Sequence, residues 1–181
     1  MINLNKEIKI EGNRIYLRKL GEKDATKEYC DWLNDPEVNK YIVTKGANIN
    51  ELKQYIRDKN NNPNCLFLGI FYKENETHMG NIKLEPIDFE NKKATLGILI
   101  GAKEYWGKEL GTEAVKLLVN WAFDSLRLEE VNLGVISENV AAIKTYEKAG
   151  FQIDKIEKKS IKWGSEFYDR IVMSVTRHRR D

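Results

Sequence analysis

Two short segments in the second half of the chain gather residues whose types and spacing can do chemistry. The first is Tyr105-Trp106-Gly107-Lys108-Glu109-Leu110-Gly111-Thr112-Glu113, placed between an apolar strand pattern and a long helical one. The first backbone N–H groups of a helix have no partner inside it, and the helix dipole adds roughly half a positive charge at that end. A phosphate fits such a place. Gly107 and Gly111 carry no Cβ, which lets a bulky ligand approach the main chain. The spacing is not that of a P-loop, which needs a Gly-Lys-Ser/Thr tail, nor of the dinucleotide fingerprint, which belongs to an early βαβ unit. Taken alone, the glycines equally fit a tight strand-to-helix turn. The second segment is Asn139-Val140-Ala141-Ala142-Ile143-Lys144-Thr145-Tyr146-Glu147-Lys148-Ala149-Gly150-Phe151. Asn139 suits a helix N-cap, and Tyr146, taken alone, reads as a core aromatic.

The rest of the sequence narrows the chemistry. Cys30 and Cys65 are the only cysteines, with no CxxC pair and no cluster of histidines, so neither a metal site nor a cysteine nucleophile is expected. The formal net charge of +2 gives no electrostatic case for nucleic acid or an acidic membrane as partner. The basic run Arg177-His178-Arg179-Arg180 reads as a solvated tail. The opening residues lack the layout of a signal peptide, and no apolar stretch approaches membrane-spanning length. A cytoplasmic location with reduced thiols is the expectation.

The elements that must position these segments follow from periodicity. A length of 181 residues fits a single domain over 1–181. Within Ile8 to Leu20, the stretch Arg14-Ile15-Tyr16-Leu17-Arg18-Lys19-Leu20 alternates as a strand; Glu22 to Leu33 has helical spacing and stops at Asn34-Asp35-Pro36. A short helix from Pro36 toward Tyr41 and another from Asn50 to Lys59 are expected next. Leu66 to Tyr72, Thr77 to Ile87 and Ala94 to Gly101 form an antiparallel meander with short connections. Leu110, Ala114, Leu117, Leu118, Trp121, Ala122 and Leu126 mark one face of a long helix. Val131 to Ile136 is a strand, Asn139 to Ala149 a helix stopped by Gly150, and Phe151 to Ile156 and Phe167 to Val175 are two closing strands around Lys162-Trp163-Gly164-Ser165.

At this point the sequence resembles a family. Trp106-Gly107-Lys108-Glu109-Leu110-Gly111-Thr112-Glu113-Ala114 is similar to the pyrophosphate loop of GNAT acetyltransferases, Arg/Gln-x-x-Gly-x-Gly/Ala, with Trp106 at the Arg/Gln position as in the RimJ/RimL-like branch. Glu109 replaces the usual central glycine. A carboxylate there is expected to repel pyrophosphate unless it points to solvent, and its backbone is expected to avoid positive φ. The second segment resembles the other GNAT hallmark, Asn-x-x-Ala-Ile-x-x-Tyr-Glu-Lys-x-Gly-Phe, nearly position for position.

The resemblance implies an α/β (α+β) acyl-CoA N-acyltransferase fold: a mixed, mostly antiparallel sheet of six to seven strands, splayed near its fourth and fifth, with helices on both faces. It implies acetyl-CoA as co-substrate, no metal, and transfer of the acetyl group to an amine acceptor. Cofactor contacts fall on Ile98, Leu99 and Ile100 of the fourth strand, on Trp106, Gly107, Lys108, Glu109, Leu110, Gly111 and Thr112, and on Asn139, Ala142 and Tyr146. Tyr146 is implied as general acid for the departing thiolate, and Asn139 as a partner of pantetheine as well as a cap. Trp32 and Tyr41 border the implied acceptor site, although each alone reads equally well as a core aromatic.

An alkylamine with a pKa near 10 must lose a proton before it attacks. Thr95 stands where the family often has a Glu. The base is left among Glu85, Asp88, Glu104 and a water chain, with Glu85 the residue named for the role. The expected acceptor is a small molecule such as a nucleotide-linked amino sugar, with a protein N-terminal amine as alternative. A non-catalytic acyl-CoA sensor is the rival from another class, and a homodimer is an assembly this reading leaves open.

Overall fold

The computed structural model describes residues 4, 6–42, 46–163 and 165–179, without the side chains of 163 and 179. The strands are β1 (Lys9–Glu11), β2 (Ile15–Lys19), β3 (Leu66–Tyr72), β4 (Thr77–Asp88), β5 (Lys93–Ile100), β6 (Glu130–Ile136), β7 (Gln152–Trp163) and β8 (Glu166–Thr176); the helices are α1 (Lys27–Asn34), α2 (Ile49–Asn61), α3 (Leu110–Ser125) and α4 (Val140–Lys148). The eight strands make one sheet in the order β1-β2-β3-β4-β5-β6-β8-β7. Every neighbouring pair is antiparallel except β5 and β6, whose parallel ladder spans only Lys93↔Glu130, Ala94↔Val131 and Thr95↔Asn132. Beyond Thr95 the two strands part, and the sheet is splayed there.

Period-two alternation sends side chains to two cores. Ile15 and Leu17 of β2 join Leu66, Leu68 and Ile70 of β3 beneath α3, whereas Tyr16, Phe67 and Phe71 pack beneath α1 and α2. β3 is buried on both faces, as its unbroken apolar run Leu66-Phe67-Leu68-Gly69-Ile70-Phe71 requires. Caps set two of the helix starts. Thr26 Oγ1 accepts from Tyr29 N at 3.2 Å, and Asn48 and Glu51 form a reciprocal capping box with two 3.0 Å bonds.

The departures from the sequence reading are local. The strand expected over Arg14 to Leu20 is β2, and a further short strand, β1, precedes it: the chain turns between them with Gly12 N donating to Ile15 O at 2.9 Å, which gives eight strands where six to seven were expected. The segment from Pro36 to Tyr41 makes successive turns instead of a helix. Asp35 Oδ1 takes the Glu37 N–H at 2.9 Å and Asn39 Nδ2 donates to Leu33 O at 2.9 Å, so side chains satisfy the local backbone. The strand expected to end at Ile156 runs to Trp163: its charged outer half pairs with β8 through Ile161↔Tyr168 and Lys162↔Phe167. Gly164 lies outside the described residues. In α3, Val115, Val119 and Phe123 are fully buried while Leu117 and Trp121 flank them, so the buried stripe is turned relative to the expected one.

Candidate active site

The site is built where β5 and β6 separate. A cavity of about 1220 Å³ opens there, larger than a single small-molecule pocket needs. Leu96 to Ile100 of β5, Gly134 to Ile136 of β6, Gly107 and Glu109 to Thr112 of the loop into α3, and Asn139, Ala142 and Tyr146 of the α4 segment all line it. The structure therefore brings both hallmark segments to one cavity. On its β4 side, β5 is paired through Ile98↔Ile82, Leu99↔Asn81 and Ile100↔Gly80; on its β6 side the ladder has ended. A strand edge so exposed can accept an extended ligand as an added strand. One acceptor is already engaged, since Trp106 Nε1 donates to Ile100 O at 2.8 Å.

The loop entering α3 has an unusual backbone. Gly107 has φ +71° and Glu109, the N-cap of α3, has φ +60° and ψ 15°. The expectation that Glu109 would avoid positive φ is overturned: the turn keeps the left-handed geometry that glycine normally supplies, at a cost of roughly 1–2 kcal/mol for a residue with a Cβ. No side chain caps α3, and its first backbone bond runs from Glu113 N to Glu109 O at 3.1 Å. The N–H groups of Leu110, Gly111 and Thr112 are the ones such a start leaves for an anion. The Glu109 carboxylate is exposed and ion-paired with Lys148, which holds it below the usual carboxylate range. Lys108 does not line the cavity. Its carbonyl accepts from Arg14 Nη1 at 2.9 Å, and Arg14 Nε also donates to Glu113 Oε2 at 2.9 Å. Arg14 thus ties β2 to the loop and to the first turn of α3, a contact the sequence does not disclose because 99 positions separate Arg14 from Glu113.

Asn139 caps α4, its Oδ1 accepting from Ala142 N at 3.2 Å. Tyr146 is buried, with its ring 5.9 Å from that of Phe151, and desolvation pushes its phenol up to about 12. It stays protonated at neutral pH, as a proton donor must. Tyr41 lines the cavity and donates to Glu138 O at 3.2 Å. Trp32 does not line it. The Trp32 ring fills the space over Gly101, where a Cβ would meet it at 2.1–2.5 Å, and packs against Tyr29 and His78 as a core aromatic.

Glu85, the residue named as base, is not brought to the cavity. Lys59 and Lys83 hold its carboxylate at 2.6 and 2.7 Å, and Asn62 Nδ2 adds a 3.3 Å bond. Burial raises its pKa, but the two ammonium groups outweigh burial and leave it below the normal range. A carboxylate so held is a poor proton acceptor. Asp88 is bonded to the N–H and side chain of Asn91, and neither it nor Glu104 lines the cavity. Thr95 donates to Asn132 Oδ1 at 2.9 Å. Tyr29, Tyr55, Asn81 and Lys83 also line the cavity. Asn81 and Lys83 alternate with Ile82 and Leu84 along β4, a period-two pattern present in the sequence. Cys30 and Cys65 are both buried, with burial pushing the Cys65 thiol up to about 11. Among the described residues no group of three or more His, Cys, Asp or Glu side chains could hold a metal ion, and no helix is long and apolar enough to cross a membrane.

Comparison with known proteins agrees with this geometry. The family described as "Acetyltransferase (GNAT) domain" matches residues 14–152. An uncharacterized N-acetyltransferase p20 of Bacillus licheniformis is 32% identical over 143 residues, covering 77% of this chain and 79% of its own. The crystal structure of spermidine N-acetyltransferase from Vibrio cholerae in complex with CoA and spermine superposes with a TM-score of 0.83 at 19% identity, over 92% of this chain and 98% of that one. The microcin C7 self-immunity acetyltransferase MccE, solved with acetyl-CoA and AMP, gives 0.79 at 25% identity, over 91% and 93%. An open strand edge, an uncapped helix start and a buried phenol meet in one cavity within a domain matched over most of its length: the chain belongs to the GNAT family and is an acetyl-CoA-dependent N-acetyltransferase.

Proposed function

We propose that the chain acetylates the primary amine of a small molecule, with a nucleotide-linked amino sugar as the favoured class of acceptor. The observation that carries this reading is the lack of an available carboxylate base among Glu85, Asp88, Glu104 and position 95. An amine that is weakly basic reaches its free form at neutral pH without a strong base, and amino-sugar amines are less basic than alkylamines. A protein N-terminal amine, with a pKa of about 7.7–8.0, satisfies the same condition and is the second reading, in keeping with the RimJ/RimL-like loop.

The residues divide the work. Bound acetyl-CoA supplies the acetyl group as a thioester. The N–H groups of Leu110, Gly111 and Thr112, with the α3 dipole behind them, suit its pyrophosphate. The open edge of β5 at Ile98 to Ile100 receives the pantetheine arm, and an N–H there polarises the carbonyl as charge develops on its oxygen. The Asn139 side chain orients the same arm while capping α4. Tyr146 gives its proton to the departing sulfur.

The test is thiol release from acetyl-CoA over a panel of amino-sugar nucleotides, polyamines, aminoglycosides and short peptides, with wild type beside Tyr146→Phe. We expect release with an amino-sugar acceptor, reduced about 10²-fold or more in Tyr146→Phe while CoA still binds. Release only with peptides selects the second reading. CoA binding with no release from any amine replaces the enzyme by a sensor.

A further inference from the structure

The acceptor half of the cavity carries a cation that the acetyl donor does not require. We propose that the Lys83 ammonium pairs with an anionic group, carboxylate or phosphate, on the acceptor molecule, so that the amine substrates of this chain are anion-bearing and polyamines are rejected. The inference rests on the acetyl-transfer reading above and specifies its acceptor.

Among the described residues, six charged ones line the cavity: Glu37, Lys40, Glu51, Lys83, Glu109 and Lys148. Four are committed at its rim. Glu37 is paired with Lys103 at 2.6 Å, Glu51 caps α2, and Glu109 and Lys148 bind each other beside the pyrophosphate loop. Lys40 lies over the Tyr41 ring, 5.0 Å from its centroid. Lys83 differs in position and in surroundings. It lies opposite Gly97 in the β4–β5 ladder, and a Cβ on Gly97 would meet its Cε at 3.5 Å and its Cγ at 3.6 Å, so its stem crosses β5. Gly97 follows Thr95, the last residue of β5 paired with β6, and so stands at the mouth of the splay. Lys83 is also on the α2 face of the sheet, together with Asn81.

The local charge does not cancel. Lys59 and Lys83 share the single carboxylate of Glu85, which leaves one net positive charge, and Glu85 itself is outside the cavity lining. Burial disfavours the Lys83 ammonium, but Glu85 outweighs it and keeps the side chain charged. A half-buried cation facing a cavity repels a second ammonium and attracts an anion. Its field also lowers the pKa of an incoming amine, in keeping with a site where none of the carboxylates weighed as base is available.

Calorimetric titration of the full chain, first with CoA and then with matched acceptors, tests this. Glucosamine 6-phosphate against glucosamine probes phosphate; glycine against glycinamide probes carboxylate. We expect the anionic member of one pair to bind about tenfold or more tightly than its neutral partner. Lys83→Gln reduces the preference to near unity and Lys83→Arg keeps it; neither variant removes the Lys59–Glu85 pair. The pair that shows the preference identifies the anion. Equal binding within both pairs, retention of the preference in Lys83→Gln, or tighter binding of spermidine overturns the inference while the CoA titration leaves acetyl transfer standing. A chain that fails to bind CoA overturns both.

Discussion

Glu109 occupies a left-handed backbone position that suits glycine, and its carboxylate stands beside the N-terminus of α3, where an anion would sit. The first feature strains the backbone and the second opposes pyrophosphate binding, which the pairing with Lys148 offsets only in part because that pair is solvent-exposed. Glu109→Gly removes the strain and the negative charge together. It is expected to raise the melting temperature by a few degrees and to lower the Kd for CoA about fivefold, measured by thermal unfolding and calorimetry. Tyr146 leads to a prediction about pH. Its phenol, pushed up to about 12 by desolvation, remains an acid throughout the range in which amines titrate. The kcat profile from about pH 6 to about pH 10 should therefore rise with deprotonation of the acceptor and show no alkaline fall; Tyr146→Phe should lower the whole curve without changing its shape.

At the scale of elements, the loop into α3 is held from outside the site. Glu113 accepts from Arg14 Nε and from the backbone N–H groups of Arg14 and Ile15, at 2.9, 2.8 and 3.3 Å. Glu113→Ala leaves those donors without their acceptor and detaches β2 from the helix start. It should destabilise the fold by about 1–2 kcal/mol and weaken CoA binding, whereas Glu113→Gln, which keeps one oxygen in place, should do less of both; urea unfolding and CoA titration separate the two effects. The elements themselves were mostly legible. The long helix, the central meander and both hallmark segments show their periods or their spacing in the residues. What escaped depended on specific partners that neither period nor composition shows. The turns from Pro36 to Tyr41 are held by side chains of Asp35 and Asn39, the extension of β7 by pairing with β8, and the Glu85 carboxylate by Lys59, 26 positions away. Glu109 was misjudged for another reason: its intrinsic backbone preference yields to a turn fixed by the elements on either side.

For the whole molecule, acid stability should be governed by His78. It is enclosed by the rings of Tyr29, Trp32 and Phe71, its Nε2 is buried without a hydrogen-bond partner, and desolvation lowers its pKa to about 4 from an ordinary 6.5. The unfolded chain binds this proton more readily than the folded one. Stability from the neutral side chain is thus complete above about pH 6.5 and is lost as pH falls toward 4, by about 3 kcal/mol in all. Urea midpoints at pH 7 and pH 4.5 measure it, and His78→Phe should flatten the difference. The seam between β5 and β6 has a mechanical meaning as well. Three ladder positions join an amino-terminal block, β1 to β5, to a carboxy-terminal block of β6, β8 and β7. Pulled apart between β2 and β8, whose other intervening ladders are all longer, the sheet should tear first along that narrow isthmus. A ligand lying along β5 then acts as a splint, so the force of the first rupture reports how firmly the donor is seated.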